Sequence, residues 1–390
     1  MSSHTSHFLP ATAVTSGKHH FFGYYDKFPW NKSGRYLLAL ESDFMERAPE
    51  AGDAVVIGLI DTAQGNQWMP LDETTAWNWQ QSCMLHWLPS EPESTIIYNK
   101  RIGDRYVSMV RNIHSGETRT LPRPVYAISH DGKFSISGNF SRLHHTRPGY
   151  GYAGVPDPNF DVAHPDDDGL YWMDLETGNN QLIITLDQMS QFKPREAMDQ
   201  GKHWFNHFVV NPANNRFTFL HRWEREGGGW FTRLFTANPD GSDIHLMADD
   251  NFVSHYDWYV ADKVVAWAHH HDLGTHYLLY TDHTDQVEIV GEGLFSTDGH
   301  CSYSPDRQWM LTDTYPDAEH NRTLMLYHLA TQTRIDIGKF YAPPELQGPI
   351  RCDLHPRWRR DGKQVCIDSA HEGQRQVYVL DVHEIIDSYA

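Results

Sequence analysis

The sequence predicts an all-β fold, a seven-bladed β-propeller, formed by one domain spanning residues 1–390. Four observations carry that prediction. Short runs of aromatic and β-branched residues recur along the whole chain. The composition, 39% hydrophobic and 13% aromatic with 13 Trp, 19 Tyr and 18 Phe, is that of a folded chain. Turn signals divide the runs into about seven similar units at a spacing of about 45 residues, which suits propeller blades. Almost no stretch carries the apolar period of a long amphipathic helix.

The first unit turns at Lys32-Ser33-Gly34 and the second near Leu88-Pro89. The third turns at His130-Asp131-Gly132 and carries a Gly-, Pro- and Asp-rich insertion near 140–168, read as a long functional or mobile loop. Residues 186–201 suit one short helix in the connection that follows. The fourth unit turns at Asn211-Pro212 and closes on Asn238-Pro239-Asp240-Gly241, and the fifth turns at Ala261-Asp262. The sixth turns at Ser304-Pro305-Asp306, with a later strand over 323–328. The seventh is the most legible, with Asp361-Gly362 and Glu372-Gly373 turns between alternating apolar runs, a strong hairpin signal. Two separate β-sandwiches would not repeat so regularly.

The formal net charge of −19 argues against nucleic acid as a partner, though a local basic pocket can still sit on an acidic protein. Cys83, Cys301, Cys352 and Cys366 form no CxxC pair, so free thiols are expected. The first residues show no basic and apolar leader, and no apolar run reaches membrane-span length. The expectation is a cytoplasmic protein without a membrane partner.

Four units open on a histidine: His207-Phe-Val-Val-Asn-Pro, His255-Tyr-Asp-Trp, His300-Cys-Ser-Tyr-Ser-Pro and His355-Pro-Arg-Trp. The first strand of a propeller unit lines the central channel, so these side chains are expected at one channel mouth. A single such histidine most simply bonds neighbouring backbone. Four in successive units point to shared chemistry, either metal ligation or proton transfer. Asp353 lies two residues before His355, and in an extended strand the two share a face. With His300 they offer two nitrogens and one carboxylate for a divalent Mn, Zn or Ca ion. Cys352 would face the opposite way as a small buried hydrophobe.

Arg222 and Arg233 in the fourth unit are candidates for gripping a carboxylate, with a surface ion pair as the plainer reading for each. The insertion gathers Arg142, His144, His145, Arg147, Tyr150 and Tyr152, a set suited either to a sugar acid or to stapling a loop by aromatic packing.

The units at 300–315 and 352–381 resemble the repeats of the β-propeller polysaccharide lyases, the oligogalacturonate lyases and more distantly the ulvan lyases. The likeness is best over residues 200–385. It implies an uronic-acid oligosaccharide as substrate, β-elimination as the reaction and a bound divalent metal ion. It matches His300 and His355 to metal positions, with Asp353 where the family has another histidine and Ile350 near the family's glutamine. It matches Arg233 to the family's catalytic arginine and His255 to an active-site histidine. From the ulvan lyases it suggests His145 and Arg222. The Phe22–Trp30 opening also resembles that wider group, with Tyr24 and Asp26 near the channel mouth.

On this reading Arg233 or His255 removes the C5 proton, His145 or His207 serves as acid or binds substrate, and Tyr24, Arg142 and Tyr150 contact the sugar. Two other readings stand beside it: a glycoside hydrolase, which calls for a pair of carboxylates, and a non-catalytic binding propeller of the TolB type.

Overall fold

The computed structural model describes residues 3–389. Seven sheets follow one another along the chain, six of four strands and one of five. Blade one runs from His19–Phe21 to Gln67–Thr74, blade two from His86–Trp87 to Thr118–Leu121, and blade three from Ala127–Ile128 to Asn180–Thr185. Blade four spans His203–Val210 to His245–Ala248, and blade five Val253–Val260 to Val287–Ile289. Blade six spans Ser302–Tyr303 to Thr333–Tyr341, and blade seven Arg357–Trp358 to Gln376–Asp381.

The C-terminal blade has three strands of its own, and the N-terminal segment supplies the fourth. Ala11–Ala13 pairs antiparallel with Gln376–Asp381, while Ser3–Ser6 runs parallel along Thr333–Tyr341. This stitching closes the ring and covers two sheet edges. Blades bury both faces against their neighbours, so strands such as Phe217–Leu220 are buried at every position, Thr218 included. Eight tryptophans are almost wholly buried. Some of their indole N–H groups bridge elements: Trp258 Nε1 donates to Val209 O of the preceding blade at 3.1 Å and Trp87 Nε1 to Pro29 O at 2.8 Å. Truncating one such ring costs about 3–5 kcal/mol.

The segment after the first inner strand does not line the channel; it crosses it. Asp368 of blade seven accepts the N–H of Gly23 at 3.0 Å, and Arg357 is paired to Asp368 at 2.8 Å and donates to Gly23 O at 2.9 Å. Gly23 has φ +114°, and a Cβ there would meet Ser82 at 3.0 Å, so glycine fits this turn. Tyr25 then spans to blade five, where its hydroxyl donates to Tyr256 O and accepts from Tyr256 N, each at 3.0 Å.

Two local expectations are revised. The insertion opens with a helix, Phe140–Thr146, because the Asn139 side chain caps the N–H of Arg142. The 186–201 connection is not one helix. It forms a turn of helix at Leu186–Ser190 and a 3-10 turn at Glu196–Met198. Pro194 and the left-handed Lys193 (φ 45°) break it. The four cysteines are free and buried, and among the described residues no helix is long and apolar enough to cross a membrane.

Candidate active site

His207, His255, His300 and His355 all converge at one end of the channel, around the rings of Tyr24 and Tyr25. The imidazole of His300 lies 4.1 Å from that of His255 and 4.3 Å from that of His355, centre to centre. Tyr24 sits 5.1 Å from His207 and 5.2 Å from His355. All four histidines are buried. Because antiparallel second strands end where inner strands begin, the insertion of blade three emerges on this same face and delivers Tyr150 to it.

Two of the histidines are placed by backbone that is uncommon for a residue with a side chain. His207 (φ 53°) is the extra residue of a bulge that shifts register between Asn206 and Phe208. His355 (φ 40°) sits just ahead of its inner strand. Left-handed conformations cost of order 1–3 kcal/mol and concentrate where side chains must be re-aimed. Alternation along a strand is therefore not what joins Asp353 to His355. No strand runs through 351–356, and the left-handed turn brings the two together. Cys352 does face away, into an apolar cluster with Leu346 and Ala370.

Asp353, His300 and His355 form one buried group whose ligand atoms lie within 4.8 Å of one another. His300 Nε2 is 3.9 Å and His355 Nε2 3.8 Å from Asp353 Oδ2, and neither nitrogen has a hydrogen-bond partner. Asp313 accepts from His300 Nδ1 at 2.9 Å, which leaves Nε2 as the nitrogen of His300 that faces Asp353. A carboxylate behind a histidine is the usual outer support of a metal ligand. Burial also holds the His355 imidazole well below its ordinary pKa, in the neutral ligating form. Two orphaned nitrogens and a carboxylate fit a divalent ion.

Asp353 has further partners. Arg322 lies 2.6 Å from Oδ1, and Arg351 Nε donates to Oδ2 at 2.5 Å. Burial alone would raise the Asp353 carboxyl, but the two guanidinium groups outweigh it and hold it well below the usual carboxylate range. Any ion here would share its carboxylate with two cations. Arg351 also donates to the Tyr150 hydroxyl at 2.6 Å, tying the insertion to this group.

His255 has its own carboxylate. Asp298 accepts from its Nδ1 at 3.0 Å and from the Ser254 hydroxyl at 2.6 Å. Burial keeps this imidazole below its ordinary pKa despite Asp298, so a neutral, oriented base faces the cluster. His207 Nε2 lies 3.3 Å from the Tyr25 hydroxyl, and burial lowers its pKa strongly. Burial pushes the Tyr24 hydroxyl well above its usual range, so it stays protonated. Asp26 turns toward the deeper channel, where it pairs with Lys27 at 2.7 Å.

Arg222 is buried and bonds only neutral groups, Thr232 Oγ1 at 3.0 Å and Val253 O at 3.2 Å. Burial, then the neighbouring Arg147, pushes it down to about 10. Tyr24, Tyr150 and Tyr256 are its other charge-relevant neighbours.

Three expected residues stand elsewhere. Arg233 does not reach the histidines. It pairs with Asp249 at 2.6 Å and donates to Phe192 O and Lys193 O at 2.9 Å each, holding the 186–201 connection. Arg142 has no N–H left for a sugar. Its bonds to His203 O, Asp157, Asn159 O, Val162 O and Ala163 O use all five donors and staple the insertion. His145 is exposed on the insertion helix, edge-on to Phe160 at 4.9 Å.

Sequence reading missed Tyr25, Asp298, Asp313, Arg322 and Arg351. One signal was available: Asp313 and Asp368 each lie 13 residues after a channel histidine, at the end of a second strand. A second His/Asp group, Asp250, His270 and His271, lies on blade five and is partly exposed. Its His271 is already held by Asp250 at 3.3 Å and Asp272 at 3.2 Å.

No family model matches the sequence, and no curated protein does. Solved structures match over the full length. The oligogalacturonate lyase of Vibrio parahaemolyticus is similar with a TM-score of 0.65 at 15% identity, covering 96% of this chain and 94% of that one. An oligogalacturonate lyase in complex with manganese is similar with a TM-score of 0.63 at 15% identity, covering 98% of each. The chain thus shares the seven-bladed propeller of the oligogalacturonate lyases from one end to the other.

Proposed function

We propose that this protein is a lyase that cleaves uronic-acid-containing oligosaccharides by β-elimination. The observation that carries the reading is the buried pair of orphaned imidazole nitrogens, His300 Nε2 and His355 Nε2, facing Asp353. The cluster lies at the channel mouth of a propeller that matches oligogalacturonate lyases end to end, one of them solved with manganese.

The reaction removes the proton on C5 of the uronate, forms a C4–C5 double bond and expels the oxygen on C4. A divalent ion held by His300, Asp353 and His355 would neutralise the carboxylate next to C5 and so acidify that proton. His255, neutral and oriented by Asp298, accepts the proton. Tyr24, protonated and lying among the histidines, donates one to the departing oxygen. Arg222 supplies fixed positive charge against the enolate-like intermediate. His207 and Tyr150 complete the walls that receive the sugar.

The geometry speaks against hydrolysis by paired carboxylates. Among the described residues, the cluster's carboxylates are engaged: Asp298 by His255, Asp313 by His300, and Asp353 by Arg322 and Arg351. The test is His255→Ala assayed on oligogalacturonate with added manganese. The expected result is a fall in kcat of about 10²–10⁴-fold, the share a positioned general base contributes. A variant as active as the parent would remove His255 from the proton transfer.

A further inference from the structure

A second group of polar and aromatic side chains lies next to the histidine cluster without being part of it. The Arg147 guanidinium sits over the Tyr150 ring at 4.4 Å and over the Trp230 ring at 4.7 Å. The Arg222 guanidinium lies 5.6 Å from the centre of the same Trp230 ring. Two cations therefore share one indole ring. Among the described residues no carboxylate pairs with either of them, although the chain carries a net charge of −19. Arg147 Nε is buried without a hydrogen-bond partner.

Like charges gathered this closely, one of them buried, are unfavourable unless an anion joins them. Guanidinium forks favour planar oxyanions such as carboxylate. Trp230 is itself 38% exposed, an unusual setting for so large an apolar ring. It begins a strand directly after Gly227-Gly228-Gly229, three successive residues with positive φ, and a Cβ at Gly227 or Gly228 would touch nothing. The ring is thus presented on an open turn at the site face.

A line of contacts joins this group to the first: Asp353 to Arg351, Arg351 to the Tyr150 hydroxyl, and Tyr150 to Arg147. Tyr150 is the partition between them. We propose that Arg147 and Trp230, beside the catalytic Arg222, form a second sugar-acid subsite, in which Arg147 binds the carboxylate and Trp230 stacks on the ring of the uronate adjacent to the one held at His300, Asp353 and His355. The inference rests on the lyase reading for the identity of that first sugar.

The test is calorimetric binding of galacturonate and digalacturonate to the full chain carrying His255→Ala, with manganese present so that bound sugar is retained and not cleaved. In that background, Arg147→Gln and Trp230→Leu should each weaken digalacturonate at least tenfold and leave galacturonate within twofold. Trp230 is exposed, so its variant keeps the comparison sound even if Arg147→Gln folds poorly. Equal weakening of both sugars, or of neither, overturns the subsite. Tighter binding of a uronate flanked by a sulfated neutral sugar overturns the carboxylate assignment. Binding that follows the expected pattern while the parent never forms unsaturated product would sink the lyase reading and leave the subsite standing.

Discussion

Replacing Asp353 by Asn leaves the shape of the side chain and removes its charge. The carboxylate is fully buried and is the shared counter-charge of Arg322 at 2.6 Å and Arg351 at 2.5 Å, whose side chains are 3% and 14% exposed. In the variant, two nearly buried cations face one neutral amide. Removing one partner of a buried ion pair costs about 3–5 kcal/mol, because the other charge is stranded away from water. Against a typical total stability of about 5–15 kcal/mol, that is a large loss. Urea unfolding at pH 7 with chelator present measures it free of any contribution from metal binding. Adding Arg322→Gln removes one stranded cation and should recover about half of the loss. The parent's own contribution from Asp353 follows from its depressed pKa. It is present above the ordinary carboxylate range and fades as pH falls through that range toward the folded value. A lone Asp353→Asn variant within 1 kcal/mol of the parent would refute the picture of a charge-neutralising hub at about the level of a surface pair.

Asp313→Asn, which withdraws the carboxylate from His300 Nδ1, should lower affinity for manganese about 10–100-fold by calorimetry, with the fold unchanged by circular dichroism. The pH profile of kcat/KM should rise through a pKa below 6.5, where His255 becomes a free base, and fall again near 10, where Arg222 loses its proton. An Arg222→Lys variant should move the upper limb and not the lower. Acid should destabilise the protein through His203, which burial pushes down to about 4 while its Nδ1 lies 2.8 Å from His221 Nε2. The unfolded chain binds that proton below about 6.5 and the folded one does not until about 4, so stability falls with pH across this window, by about 2 kcal/mol at pH 5. His203→Gln should narrow the difference in urea midpoint between pH 7 and pH 5.

The propeller was legible because its turns are local. Asp361-Gly362 and Ser304-Pro305-Asp306 declare hairpins within a few residues, and their recurrence counts blades. The histidines were legible because three of them stand at the same place in their units, with His255 one position out of register. What stayed hidden depends on contacts between distant parts of the chain. Tyr25 is held by Tyr256 from 231 residues away, and Arg351 by Tyr150 from 201. Arginine identity alone did not reveal role, because role follows from where the side chain is aimed. Arg222 and Arg233 lie on neighbouring strands of one blade, yet one faces the site and the other Asp249. Asp353 and His355 were paired by strand alternation, and the structure pairs them by a left-handed turn that no pattern of residue types announces.

On the proposed reading, this propeller eliminates and does not hydrolyse. Incubating the protein with oligogalacturonate and manganese, and following ultraviolet absorbance of unsaturated uronate beside the release of reducing ends, tests it most directly. Both signals should rise together, one double bond per new end, and His255→Ala should lose both. Reducing ends released without the unsaturated product would contradict that reading.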